Sequence, residues 1–165
     1  PELEGDVGPC TNVSSEVQGV VNFFGVTEIK SDAGRLLGLN RIPTNSPEVL
    51  LLGGRPGDDP AKARSASPIA YVTPDDPPVL TVHGTADRTV PYKQAIRLDA
   101  ALREAGVASY FVTVENAGHG NFDTAADDRV LAFFEMYLCG ESVEISTNPI
   151  VWKNPVPAAP LTTSR

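Results

Sequence analysis

The hydrophobic pattern of this chain changes period several times, and each change marks an element. Residues 79–82 (VLTV) and 110–114 (YFVTV) are short runs of β-branched and aromatic residues, the pattern of strands buried on both faces. Residues 17–25 (VQGVVNFFG) form another apolar run, stopped by Gly25, and are read the same way. Between the VLTV and YFVTV runs, Ala95, Leu98, Leu102 and Ala105 recur at steps of 3, 4 and 3. That is a helix, with Pro91 in its first turn and Gly106 as its stop. A last helix opens near Thr124, where Asp127 and Asp128 suit the positive end of the helix dipole. Val130, Phe133, Phe134, Tyr137 and Leu138 then define one apolar stripe.

Elsewhere glycine and proline break every period. Residues 1–16 read as loop. Residues 26–60 hold Gly34, Gly38, Pro43, Pro47, Gly53, Gly54, Pro56, Gly57 and Pro60, which leaves room for short helical turns at 33–39 and 47–52 only. One further turn fits residues 61–66. After Gly140, Pro149, Pro155, Pro157 and Pro160 give residues 141–165 the look of an extended Pro-rich tail. Strands alternating with helices at this spacing predict an α/β fold, a parallel sheet flanked by helices. A sheet of two or three strands is narrow, and its open edge calls for a cover.

Composition narrows the function classes. The chain has 165 residues, 41% hydrophobic and 21% charged, enough for one domain with a real core. No apolar run approaches the ~20 residues of a membrane span. Thirteen basic residues against 21 acidic ones give a net charge of −8. That balance disfavours nucleic acid and anionic membranes as partners and suits a neutral or cationic small substrate. The chain starts at Pro1 rather than Met, which suggests a removed leader or a longer product. Cys10 and Cys139 are compatible with a disulfide worth up to roughly 5 kcal/mol, and equally with two unrelated thiols. The proline-rich tail and that disulfide slightly favour a secreted or periplasmic location.

Two histidines are present. His119 stands in Asn116-Ala117-Gly118-His119-Gly120, directly after the YFVTV strand. His83 ends the VLTV strand and is followed by Gly84-Thr85-Ala86-Asp87. In parallel sheets, the loops leaving the strands' C-terminal ends collect ligands and chemistry. Asp87 and His119 follow successive strands with a helix between, which puts them side by side on that rim. A carboxylate beside an imidazole fixes its tautomer and stabilises the imidazolium, as a base that deprotonates a serine requires. Asp87 and His119 are therefore the candidate catalytic residues. His83 reads as structural, an imidazole buried under the turn that aims Asp87. Val90 reads either as acyl-site lining or as simple packing.

The stretch His83-Gly84-Thr85-Ala86-Asp87-Arg88-Thr89-Val90-Pro91, then a helix, then Ala117-Gly118-His119-Gly120, resembles the C-terminal half of α/β-hydrolase-fold esterases and lipases. Within that fold it looks like the hormone-sensitive-lipase-like and feruloyl/acetyl-xylan esterase groups. Ala66-Ser67-Pro68-Ile69 through Asp75-Asp76-Pro77-Pro78 resembles their approach to the acid-bearing strand, so the likeness runs over roughly residues 17–138. It implies that residues 1–140 are the C-terminal part of one α/β-hydrolase domain, with 26–60 as a cap or pocket-wall insertion. It also implies a Ser-Asp-His triad acting on a small-molecule ester, in which Asp87 is the acid and His119 the base.

The serine is missing. The nucleophile elbow needs Gly-x-Ser-x-Gly on a strand-to-helix turn, and none of the ten serines lies in that pattern. Gly8-Pro9-Cys10-Thr11-Asn12 imitates it without the strand, the helix or the final glycine. The resemblance therefore implies a partner, an N-terminal segment of the same hydrolase carrying the elbow and the oxyanion loop, and an inactive chain in its absence. A prolyl-oligopeptidase-type serine peptidase and a non-catalytic α/β-hydrolase-like binding protein are the alternatives. No cofactor and no metal is expected, since the histidines and cysteines are not at ligand spacing.

Overall fold

The computed structural model describes residues 13–29, 43–120 and 122–153. These form a parallel sheet of four strands in the order β1-β2-β3-β4. The strands are β1 (Val20–Phe23), β2 (Val79–Gly84), β3 (Ser109–Glu115) and β4 (Ile150–Val151). Helices α1 (Pro47–Leu52) and α2 (Pro60–Ser65) and a 3-10 turn (Pro68–Tyr71) lie between β1 and β2. Helix α3 (Lys93–Ala105) connects β2 to β3, and α4 (Thr124–Cys139) connects β3 to β4. No helix among the described residues is long and apolar enough to cross a membrane.

Every residue of β2 is buried, as a central strand requires. Its side chains alternate between two layers. Leu80 and Val82 join Val112, Val114, Ala126 and Phe133 in one core under α4. Val79 packs with Leu98, Leu102 and Val107 in a second core under α3. Helix α3 begins two residues after Pro91, whose carbonyl accepts the Gln94 N–H at 2.8 Å. It ends as expected at Gly106, which adopts φ +82° and returns its N–H to the last turn. Helix α4 opens with Asp123 as N-cap, its side chain accepting the Ala125 N–H at 3.1 Å.

Three expectations need correction. First, β1 is not buried on both faces: Val20 and Phe23 are each more than a third exposed, because β1 is an edge of the described sheet and pairs with β2 alone. Second, the buried face of α4 is rotated from the predicted stripe. Phe133 is fully buried and Val130, Met136 and Tyr137 pack beside it, but Phe134 and Leu138 face solvent. The fully buried Ala126 takes their place. Third, residues 141–153 run extended yet are docked on the core. Ile145 and Ile150 are buried, Val114 pairs with Ile150, and the Trp152 N–H donates to Glu115 O at 3.0 Å.

The segment after β1 is anchored through one buried side chain. Gln94 Oε1 accepts the N–H groups of Thr27 and Glu28 at 3.1 and 2.8 Å, and its Nε2 donates to Glu28 O at 2.8 Å. Ile29, Leu52 and Ala63 form a small separate cluster, which ties α1 and α2 to this segment. The helical turn expected at residues 33–39 lies outside the described residues. So does Cys10; Cys139 is a free, exposed thiol.

Candidate active site

The ends of β2 and β3 are stitched together before any functional side chain is placed. Thr85 N–H donates to Val114 O at 3.0 Å, and Ala86 N–H to Ala117 O at 2.9 Å. Asn116 takes the left-handed conformation (φ +63°), which asparagine tolerates, and its N–H donates to Thr85 Oγ1 at 2.9 Å. The second loop passes so close over Gly84 that a Cβ there would collide with Ala117 O and lie 2.7 Å from Gly118 O. Only glycine lets the two loops touch.

This contact brings Asp87 against His119. Asp87 Oδ2 lies 2.9 Å from His119 Nδ1. Asp87 Oδ1 accepts the Thr89 and Val90 N–H groups at 2.7 and 2.9 Å, a turn that holds the carboxylate from below. The Asp87 side chain is completely buried, while that of His119 is 33% exposed. These contacts satisfy the acceptor oxygens of the buried carboxylate. With Nδ1 committed to the carboxylate, His119 keeps Nε2 as the nitrogen able to accept a proton.

His83 lies beneath the pair and is fully buried. Its Nε2 is 3.0 Å from Val90 O and 3.3 Å from Asp87 Oδ2. Burial pushes its pKa below the ordinary 6.5; the Val90 carbonyl and the Asp87 charge oppose that shift, and His119 adds to it. Val90 enters the site through its backbone, because its side chain is buried in packing.

Phe24 has no counterpart in the sequence reading. It follows β1 with φ +42°, its N–H bound to Val82 O at 3.1 Å. Left-handed backbone costs a non-glycine residue roughly 1–2 kcal/mol, so the surroundings must hold it there. Its ring stands 4.3 Å from the His119 ring, centroid to centroid, and 5.6 Å from Phe122. Phe23, Phe24, Gly120, Phe122 and Asp127 line a cleft of about 400 Å³ beside His119. No sequence signal marks a bulky residue with positive φ; only its place after a strand hints at the rim.

A parallel sheet with an Asp–His pair at the ends of adjacent strands is the architecture of the α/β-hydrolase esterases. The chain matches the BD-FAE family over residues 1–102 and belongs to that family. The match includes Asp87 and ends before His119. Esterase LipQ of Mycobacterium tuberculosis is 31% identical over 119 residues, covering 72% of this chain and 27% of LipQ. Among solved structures, a truncated carbohydrate esterase from gut microbiota superposes with a TM-score of 0.74 at 31% identity, covering 81% of this chain and 47% of that one. A bifunctional GH43-CE protein of Bacteroides eggerthii gives 0.70 at 35% identity, covering 82% and 19%. The chain thus spans about a quarter of LipQ and about half of the carbohydrate esterase.

Proposed function

We propose that this chain supplies the acid and base of a carboxylic ester hydrolase whose nucleophilic serine lies on a preceding segment of the same hydrolase. The observation that carries the reading is the 2.9 Å contact between Asp87 Oδ2 and His119 Nδ1, made where two adjacent parallel strands end. The edge position of β1 among the described residues supports the proposed partner, since a sheet edge offers a ladder to one more strand.

His119 Nε2 takes the proton of the serine hydroxyl as its oxygen bonds to the ester carbonyl carbon. Backbone N–H groups of the proposed segment stabilise the oxyanion. The imidazolium, held by the Asp87 carboxylate, returns the proton to the leaving alcohol oxygen as the C–O bond breaks. Water then repeats the sequence on the acyl-enzyme, with His119 again as base. The negative net charge favours neutral or cationic esters over anionic ones.

The test is hydrolysis of p-nitrophenyl acetate against an aminoacyl anilide, using this chain together with its proposed preceding segment. Ester turnover is expected, with kcat lowered by about 10³–10⁴ in Asp87→Asn and His119→Ala. Preferential anilide cleavage would favour the peptidase. No ester turnover at any pH between about 6 and 9, the range in which such an imidazole base works, would favour a binding protein.

A further inference from the structure

We propose that His83 is a positioning residue for the Asp87–His119 pair: its Nε2–H, shared between Val90 O and Asp87 Oδ2, fixes the oxygen that receives the His119 Nδ1–H. The role in catalysis rests on the acid–base reading above, whereas the geometry stands without it.

The partners of His83 settle its tautomer. Nε2 lies 3.0 Å from a backbone carbonyl and 3.3 Å from a carboxylate oxygen, and neither group has a proton to give. Nε2 must therefore be the donor. Nδ1 is buried and has no hydrogen-bond partner among the described residues. A second proton there would sit on an N–H with nothing to accept it, and burial opposes the added charge. His83 is therefore the neutral Nε2–H form.

Three contacts then close a ring around the acid. Val90 donates its N–H to Asp87 Oδ1 and accepts the His83 proton at its carbonyl, and His83 reaches back to Asp87 Oδ2. The edge-on ring of Tyr92, 5.8 Å from His83 between centroids, backs the imidazole, and the Tyr92 hydroxyl is tied to Thr113 Oγ1 on β3 at 2.6 Å. Strand β2 thus aims the carboxylate from beneath while its charge stays available to His119. A cationic group at the same place would compete with the His119 imidazolium for that charge.

The chain has only two histidines, so ring-15N histidine labelling reads both directly. At neutral pH, His83 is expected as the Nε2–H tautomer and His119 as Nδ1–H with a downfield, slowly exchanging proton. His83→Gln keeps an N–H donor at similar reach and is expected to preserve the His119 signature. His83→Phe keeps a ring but no donor, and is expected to lose the downfield proton and give mixed His119 tautomers. In ester turnover with the preceding segment, His83→Phe should lower kcat about 10- to 100-fold with KM nearly unchanged, as misplacement of a reacting group does.

A protonated Nδ1 on wild-type His83, or a His119 signature that survives in His83→Phe, would overturn the proposal. If His83→Phe does not fold, the wild-type tautomer and His83→Gln still decide, since loss of the signature in His83→Gln also overturns it. Expected tautomers without any ester turnover would defeat the esterase reading and leave the positioning geometry intact.

Discussion

One hydrogen atom at position 84 separates the loop that ends β2 from the loop that carries His119. Replacing it with a methyl group drives Cβ into Ala117 O and against Gly118 O. Both are backbone atoms in a stitched loop that cannot swing aside. Gly84→Ala is therefore expected to cost about 1–3 kcal/mol, the usual range for overpacking, and to break the Asp87–His119 hydrogen bond. Urea unfolding and the His119 Nδ1 proton resonance check the two effects separately. His83 makes a different prediction. Burial holds its folded pKa below the ordinary 6.5, so between the two values the unfolded chain binds more protons than the folded one. Stability then rises with pH through that window and is lost as pH falls below about 6.5. The Asp87 carboxylate and His119 ring both face the imidazole, the first opposing the shift and the second adding to it. Urea midpoints between about pH 7 and pH 5 should fall more steeply for the wild type than for His83→Gln; equal slopes would contradict the buried neutral state.

Helix α4 shows how far a period can be trusted. Phe133 is fully buried and Leu138 is 55% exposed, although both fall on the stripe read from sequence. Phe133→Ala is expected to cost about 3–5 kcal/mol and Leu138→Ala to stay within about 0.5 kcal/mol, measured by the same urea unfolding. The existence of α3 and α4 and the burial of β2 were legible because long periodic helices and β-branched runs carry their own signal. The rotation of α4 was not, since it depends on Ala126 being buried in the core with Leu80, Val82 and Phe133, a tertiary fact. Two-residue β4 has no room for a period; it exists because β3 offers a free edge at Val114 and Glu115. The Asp87–His119 pairing was legible because each residue lies in the loop that leaves a strand and the strands are neighbours. Phe24 was not, because its positive φ is imposed by the Val82 hydrogen bond and its ring contacts rather than by residue type.

At the scale of the molecule, β1 has one paired side among the described residues, beside the two cores and the stitched rim. The family, and relatives of which this chain spans a quarter to a half, supply the reason to expect more sheet beyond that edge. The proposed chemistry points the same way, since the chain holds the proposed acid and base, Asp87 and His119, while none of its serines lies in the elbow sequence. The most direct measurement is fluorophosphonate labelling of the chain joined to its proposed preceding segment, with the modified residue mapped by mass spectrometry. One labelled serine is expected, on the preceding segment, with a labelling rate about 10³-fold slower or more in His119→Ala, as loss of the general base implies. Stoichiometric label on any of the ten serines of this chain, or an unchanged rate in His119→Ala, would contradict it.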